Sequence, residues 1–209
     1  MTQATPDPPA AAPVGTPANP MQIRDPRVMR ALAHPARIAI LQHLQIEGPA
    51  TATECAEIAG LSPSACSYHL RALASHGLVE EDLSSAADGR HRPWQARVIM
   101  FSFSDGPDQP TAVRAAGQML KQSIEAHIED IREQYRDRHD AYPAEWSSAI
   151  GLTQDVVHIT PEELSALRAE VQELVGRYRR LDPAERPAGA RRVLALQEFV
   201  PWFDPDASQ

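Results

Sequence analysis

Cysteine occurs twice and lysine once in these 209 residues. Two cysteines, Cys55 and Cys66, cannot make a disulfide framework. Both sit on faces predicted to be apolar, where a free thiol acts as a small hydrophobe, so a reducing, cytoplasmic setting is expected. No run of about 18 apolar residues occurs, so no membrane-spanning helix is expected. The opening residues lack a basic start followed by an apolar run, so no secretory signal is expected. A Gly-rich phosphate loop, a His-Glu-x-x-His metal motif and a nucleophile elbow are all missing, which argues against an enzyme and offers no cofactor site.

The formal net charge is −8, which on its own disfavours nucleic acid. Its distribution matters more. From Arg24 to Ser104, eight arginines (24, 27, 30, 37, 71, 90, 92, 97) meet eight acids (25, 47, 54, 57, 80, 81, 82, 88), alongside five histidines. The acid excess lies beyond Ser104. A neutral domain can still bind DNA if its arginines share one face, and a dimer doubles its phosphate contacts.

The informative stretch is Thr51 to Leu78. Thr51 with Glu54 forms a capping box that opens a helix. Cys55, Ile58 and Ala59 supply its apolar face, and Gly60 ends it in a left-handed turn. Ser62 is the N-cap and Pro63 the first residue of a second helix, which runs to about His76. Gly77 then closes it, with Leu78 folding back onto Leu73. Cys66, Leu70 and Leu73 recur at steps of four and three and point into a core. Ser64, Ser67, Tyr68 and Arg71 fall on the other face. Small hydroxyls that reach phosphate, plus a guanidinium that can fork onto guanine, suit a helix laid in a major groove. Taken by spacing alone, a solvated helix face fits equally well. A winged helix used only for protein contacts is the rival of another class; it would expose large aliphatics where the serines, Tyr68 and Arg71 stand.

After Leu78, two strand-like runs flank a polar turn carrying Arg90, His91 and Arg92, which reads as a β-hairpin with a basic tip. Helix, turn, helix, hairpin is the order of a winged helix-turn-helix. The segments MRALAHPARIAILQHL, TATECAEIAGLSPSACSYHLRALASHGLVEE and GRHRPW resemble the ArsR-type family of bacterial transcriptional regulators, over roughly Asp25 to Ser104. The resemblance implies binding to double-stranded DNA as a homodimer, usually in repression. Ser62, Ser64, Ser67, Tyr68, His69, Arg71, Arg90, His91 and Arg92 are the expected DNA contacts. Tyr68 and Arg71 are the base-edge candidates, and the wing tip from Gly89 to Arg92 the backbone one. His69 falls in Ser67-Tyr68-His69-Leu70, matching a Ser-x-His-Leu run of the family; contact with phosphate and bonding within the helix pair are both open to it. The family includes metal sensors with paired cysteines in the first helix of the motif. Here that helix offers only Cys55, and thiolate sites need several converging ligands, so no metal is expected.

Elsewhere, residues 1–22 are rich in Pro and Ala and are expected to be disordered. Asp25-Pro26 and His34-Pro35 each start a helix. From Pro93 one wing strand is expected to run through Phe101 and Phe103, closing a DNA-binding domain over residues 23–104. Thr111 to about Tyr142 reads as one helix with the stripe Leu120, Ile124, Ile128, Ile131 and Tyr135. By resemblance this is the dimer interface; an intramolecular core helix is the alternative. Residues 143–209 are expected to form a small α+β unit. Its strands fall at Val156–Ile159 and Val193–Val200, and its helix opens at Thr160 with the seam Leu164, Leu167, Val171, Leu174, Tyr178 and Leu181. That unit is where a small-molecule effector or a dimer contact would be sought. The expected fold is thus mainly α with a β-wing, a long dimerisation helix and a small α+β C-terminal segment.

Overall fold

The structure, a computed structural model, describes residues 21–82, 92–179 and 182–201. The core is built by five helices. They are α1 (Pro26–Leu32), α2 (Pro35–Glu47), α3 (Ala52–Ala59), α4 (Pro63–Ala74) and the first half of α5 (Thr111–Arg138). The predicted helix starts are all present. Asp25 caps α1 through the Arg27 amide, and His34 caps α2 through its Nδ1. Thr51 and Glu54 close their capping box, and Ser62 caps α4. Gly60 ends α3 in the left-handed region at φ 63°. The close of α4 is the expected one: Leu78 donates to the Leu73 carbonyl at 3.1 Å and Gly77 to that of Ala74 at 2.9 Å.

Met29, Leu32, Ile40, Leu41, Cys55, Cys66, Leu70, Leu73, Leu78 and Leu120 are sealed from solvent and form one cluster. Ile58 departs from expectation and is half exposed, while Ala56 is buried. At about 100° per residue the buried arc of α3 centres between Cys55 and Ala56, leaving Ile58 on its rim.

Two small sheets flank the helices. Strand β2 (Val79–Glu81) pairs antiparallel with β3 (Trp94–Ala96), with Val79 opposite Ala96 and Glu81 opposite Trp94. This is the base of the wing. The single long second strand expected from Pro93 is instead two. The chain leaves β3 at Arg97, buries Val98, and re-enters as β4 (Phe101–Phe103) in another sheet. The partner of β4 is β1 (Met21–Ile23), parallel, with Ile23 buried opposite Phe103. Strand order therefore begins two residues inside the stretch expected to be tail; residues 1–20 of that stretch lie outside the described residues.

The largest correction concerns α5. Val113, Ala116 and Leu120 belong to the core, and Ile124 packs against it. This half lies on α1 and α2. Leu120 is therefore a core residue of its own protomer and is not available as an interface residue. Gly117 explains the close approach: a Cβ there would stand 2.8 Å from the Asp105 Cβ, so the loop after β4 rests directly on the helix. The helix ends at Arg138, and a 3-10 turn (His139–Ala141) follows, short of the expected single run to Tyr142.

The C-terminal segment holds α6 (Ala144–Ser147) and α7 (Pro161–Gly176), the latter opened by the predicted Thr160–Glu163 capping box. The strands expected at Val156–Ile159 and Val193–Val200 are extended chain with no ladder partner among the described residues. Most of their apolar side chains face solvent, so the pattern that suggested strands has nothing to pair with inside one chain. No residue of α7 is buried, and Leu181 lies outside the described residues. The segment is tied down by charge. Arg186 pairs with Glu47 at 2.6 Å and donates to the Ile46 carbonyl at the end of α2, where cations are favoured. Arg192 adds a second pair to Glu47 at 3.5 Å.

Candidate nucleic-acid interface

Helix α4 has one face in the core and one in solvent. Cys66, Leu70 and Leu73 are fully buried. Ser64, Tyr68 and Arg71 are exposed at positions within about 60° of one another, with half-buried Ser67 beside them. Tyr68 is 61% exposed, unusual for an aromatic with an apolar core alongside. Arg71 makes no side-chain ion pair among the described residues. Ser67 returns its hydroxyl to the Pro63 carbonyl at 2.8 Å, which pins it to the helix. Ser62 serves as N-cap, accepting from the Ala65 amide, with its hydroxyl 3.1 Å from that of Ser64. The start of α4 thus carries two exposed hydroxyls at the positive end of a helix dipole, where phosphate oxygens are favoured.

His69 does not share that face. It is 8% exposed. Its Nδ1 accepts from the Arg37 Nε at 3.2 Å, and the same guanidinium donates to the Ala31 carbonyl at 2.7 Å. The His34 ring lies against it, centroids 4.6 Å apart, and the Tyr68 ring meets it edge-on at 5.5 Å. Burial, reinforced by the neighbouring His34 ring and the Arg37 guanidinium, holds the His69 imidazole below its usual pKa. The His69 hydrogen bond thus runs to α2, outside the α3–α4 pair in which bonding was one of the two expected roles. Sequence reading missed Arg37. The only signal was an arginine beside the apolar run of α2, which commonly means nothing more than a solvated edge.

At the wing base, Arg92 pairs with Glu81 at 3.1 Å and Arg97 with Glu80 at 3.3 Å. Both pairs are exposed and individually weak. Their register follows from Val79-Glu80-Glu81 set antiparallel to Trp94-Gln95-Ala96. Arg90 and His91, and the tip from Gly89, lie outside the described residues.

Cys55 and Cys66 are buried against each other from α3 and α4. Burial pushes the Cys55 thiol up to about 12 and raises that of Cys66 as well. A thiol held protonated this firmly is a poor nucleophile and a poor metal ligand. Among the described residues no group of three or more His, Cys, Asp or Glu converges in a way that could hold a metal ion. No described helix is long and apolar enough to cross a membrane.

A helix-turn-helix domain family matches residues 32–82, from the end of α1 to the first wing strand. The chain is 32% identical over 111 residues to the HTH-type transcriptional regulator NmtR of Mycobacterium tuberculosis, an alignment spanning 53% of this chain and 75% of that protein. Among solved structures, a double mutant of Lactococcus lactis ZitR in apo form is 20% identical, with 66% of this chain and 82% of that one covered and a TM-score of 0.29. A MarR family protein of Mycobacterium tuberculosis in complex with salicylic acid is 18% identical, covering 72% of this chain and 87% of that one, with a TM-score of 0.26. NmtR is a transcriptional regulator, and with the helix-turn-helix match this sets aside a role for the winged helix in protein contacts alone: the chain belongs to the ArsR-type family of winged helix-turn-helix proteins and is a DNA-binding transcriptional regulator.

Proposed function

We propose that the protein is a homodimeric repressor of the cytoplasm that lays α4 in the major groove of its operator. Arg71 and Tyr68 read base edges, while Ser62, Ser64 and Ser67 approach phosphates. Arg92 of the wing, with Arg90 and His91, meets the neighbouring backbone or minor groove. The observation that supports this reading most is the α4 surface itself: an exposed tyrosine, and an exposed arginine with no ion pair among the described residues, on a helix whose opposite face is sealed into the core. Two copies are needed because half-sites about one helical turn apart require two recognition helices at a fixed distance. The second half of α5 is the surface for this. Ile128 and Ile131 are half-buried and Tyr135 is exposed, beyond the point where α5 leaves the core. Repression, once established, leaves room for relief by a small-molecule effector acting on the C-terminal segment.

The test is genomic footprinting with tagged protein, followed by shift assays on the recovered sites. Protected sites of two-fold symmetric sequence, bound as a dimer and lying over promoters, are expected. Binding without sequence preference would overturn the reading.

A further inference from the structure

Resting on the base-reading role of α4, we propose that His69 is a positioning residue: neutral, and bonded through Nδ1 to Arg37, it sets the register of the recognition helix against the α1–α2 junction. The Arg37 guanidinium reaches three elements at once. It sits on α2, donates to the Ala31 carbonyl at 2.7 Å in the last turn of α1, and donates to His69 on α4 at 3.2 Å. His34, the N-cap of α2, closes the cluster with its ring against His69. His69 directly follows Tyr68 and stands two residues before Arg71, and its ring touches that of Tyr68. Base reading tolerates errors of only about 0.5 Å in side-chain placement. The link between Arg37 and His69 is therefore placed to decide where the two reading side chains stand. The geometry also fixes the tautomer. An Nδ1 that accepts leaves the ring proton on Nε2. A second proton on the ring would remove the acceptor and set a cation against Arg37. The charged and titratable groups facing His69 are Arg37 and His34 from α2 and its cap, and Tyr68 from its own helix.

The test uses the full-length protein in two arms. Nitrogen-15 NMR of the histidine side chains reads the tautomer directly: an unprotonated Nδ1 at His69 is expected at neutral pH, and a protonated one overturns the proposal. The second arm measures operator affinity, preference over a single-base variant of the operator, and salt dependence for wild type, His69→Leu and His69→Gln. His69→Leu leaves the Arg37 donor without its partner, and preference is expected to fall about tenfold. The slope of affinity against salt should not change. His69→Gln, whose carbonyl can accept from Arg37, should restore preference to within about threefold of wild type. Lowering the pH from about 7.5 to about 5.5 should erode the preference of wild type more than that of His69→Gln. A salt slope reduced by about 0.9 in His69→Leu would instead make His69 a direct phosphate contact and overturn the proposal. An undiminished preference in His69→Leu would overturn it too. If wild type itself shows no sequence preference, base reading by α4 fails, and the tautomer arm still decides whether Arg37 and His69 are joined.

Discussion

Arg92 and Glu81 face each other across the wing base, Nη1 to Oε2, at 3.1 Å. If Arg92 meets phosphate as proposed, it is held in the free protein by a carboxylate that phosphate would repel. Glu81→Gln releases Arg92 and removes that repulsion. Affinity for all DNA sequences is expected to rise by about threefold to fivefold at low salt, within the range of an exposed pair. Titration of labelled operator and of random duplex checks it. A gain confined to the operator would show that Arg92 acts through bases rather than phosphate.

The two halves of α5 should respond differently to substitution. Leu120 is fully buried in the core of its own chain, so Leu120→Ala is expected to cost about 2–5 kcal/mol of stability without changing the state of association. Ile128→Glu with Ile131→Glu places charges where the helix has left that core. A folded monomer with greatly weakened operator binding is expected, read by light scattering and by circular dichroism. A dimer of wild-type strength in the double variant would move the interface to the C-terminal segment.

Stability should fall on mild acidification. Burial holds His43, His69 and His127 below the ordinary histidine value of 6.5. The unfolded chain therefore takes up protons near that value before the folded one does. Stability is complete above it and declines as the pH drops through it. Each group contributes less than the ceiling of about 1.4 kcal/mol per pH unit, because the sites keep some solvent. Glu47 is held low chiefly by its hydrogen bond from Arg186, and Glu54 by its bonds from Thr51. Their contributions disappear only at more acid pH, as it falls below the ordinary value of 4.5, so they do not offset the histidines. Urea midpoints at about pH 7.5 and about pH 5.5 test this, with a lower midpoint expected at the acid value. An unchanged midpoint would mean that these rings titrate alike in both states.

The cysteines should be inert in the folded protein. Both are sealed, and the Cys55 thiol is pushed up to about 12. Alkylation by iodoacetamide at neutral pH should wait for unfolding, and its rate should follow urea concentration. Prompt labelling of either thiol in native protein would contradict the burial of α3 against α4.

Local chemistry made the winged domain legible. Asp25-Pro26, His34-Pro35, Thr51 with Glu54, Gly60, Ser62-Pro63 and Gly77 each mark an end, and each end stands where its residues put it. Capping and left-handed glycine act over three or four residues, within reach of a sequence reading. What failed depends on distant partners. The run from Pro93 to Phe103 alternates like one strand, but β4 pairs with Met21–Ile23 some eighty residues away, and that draws the chain out of the wing. Leu120 shares a helical stripe with Ile131, and the stripe cannot say where the core stops beneath it. The apolar residues at Val156–Ile159 and Val193–Val200 read as strands, yet no ladder partner for them exists among the described residues. On α4, the exposure of Tyr68 and Arg71 was legible because polar residues opposite Leu70 and Leu73 stand out; the place of Arg37 was not, because its partner, His69, lies 32 residues away.

Sequence reading by α4 is tested most directly through Arg71→Ala. This side chain is exposed and free of ion pairs among the described residues, so its removal should leave the fold alone. The measurement is affinity for the footprinted operator and for every single-base variant of one half-site. The expected result is a loss of about 1–3 kcal/mol on the operator and relaxed preference at one position per half-site. Unchanged affinity together with unchanged preference at every position would contradict the placement of α4 in the major groove.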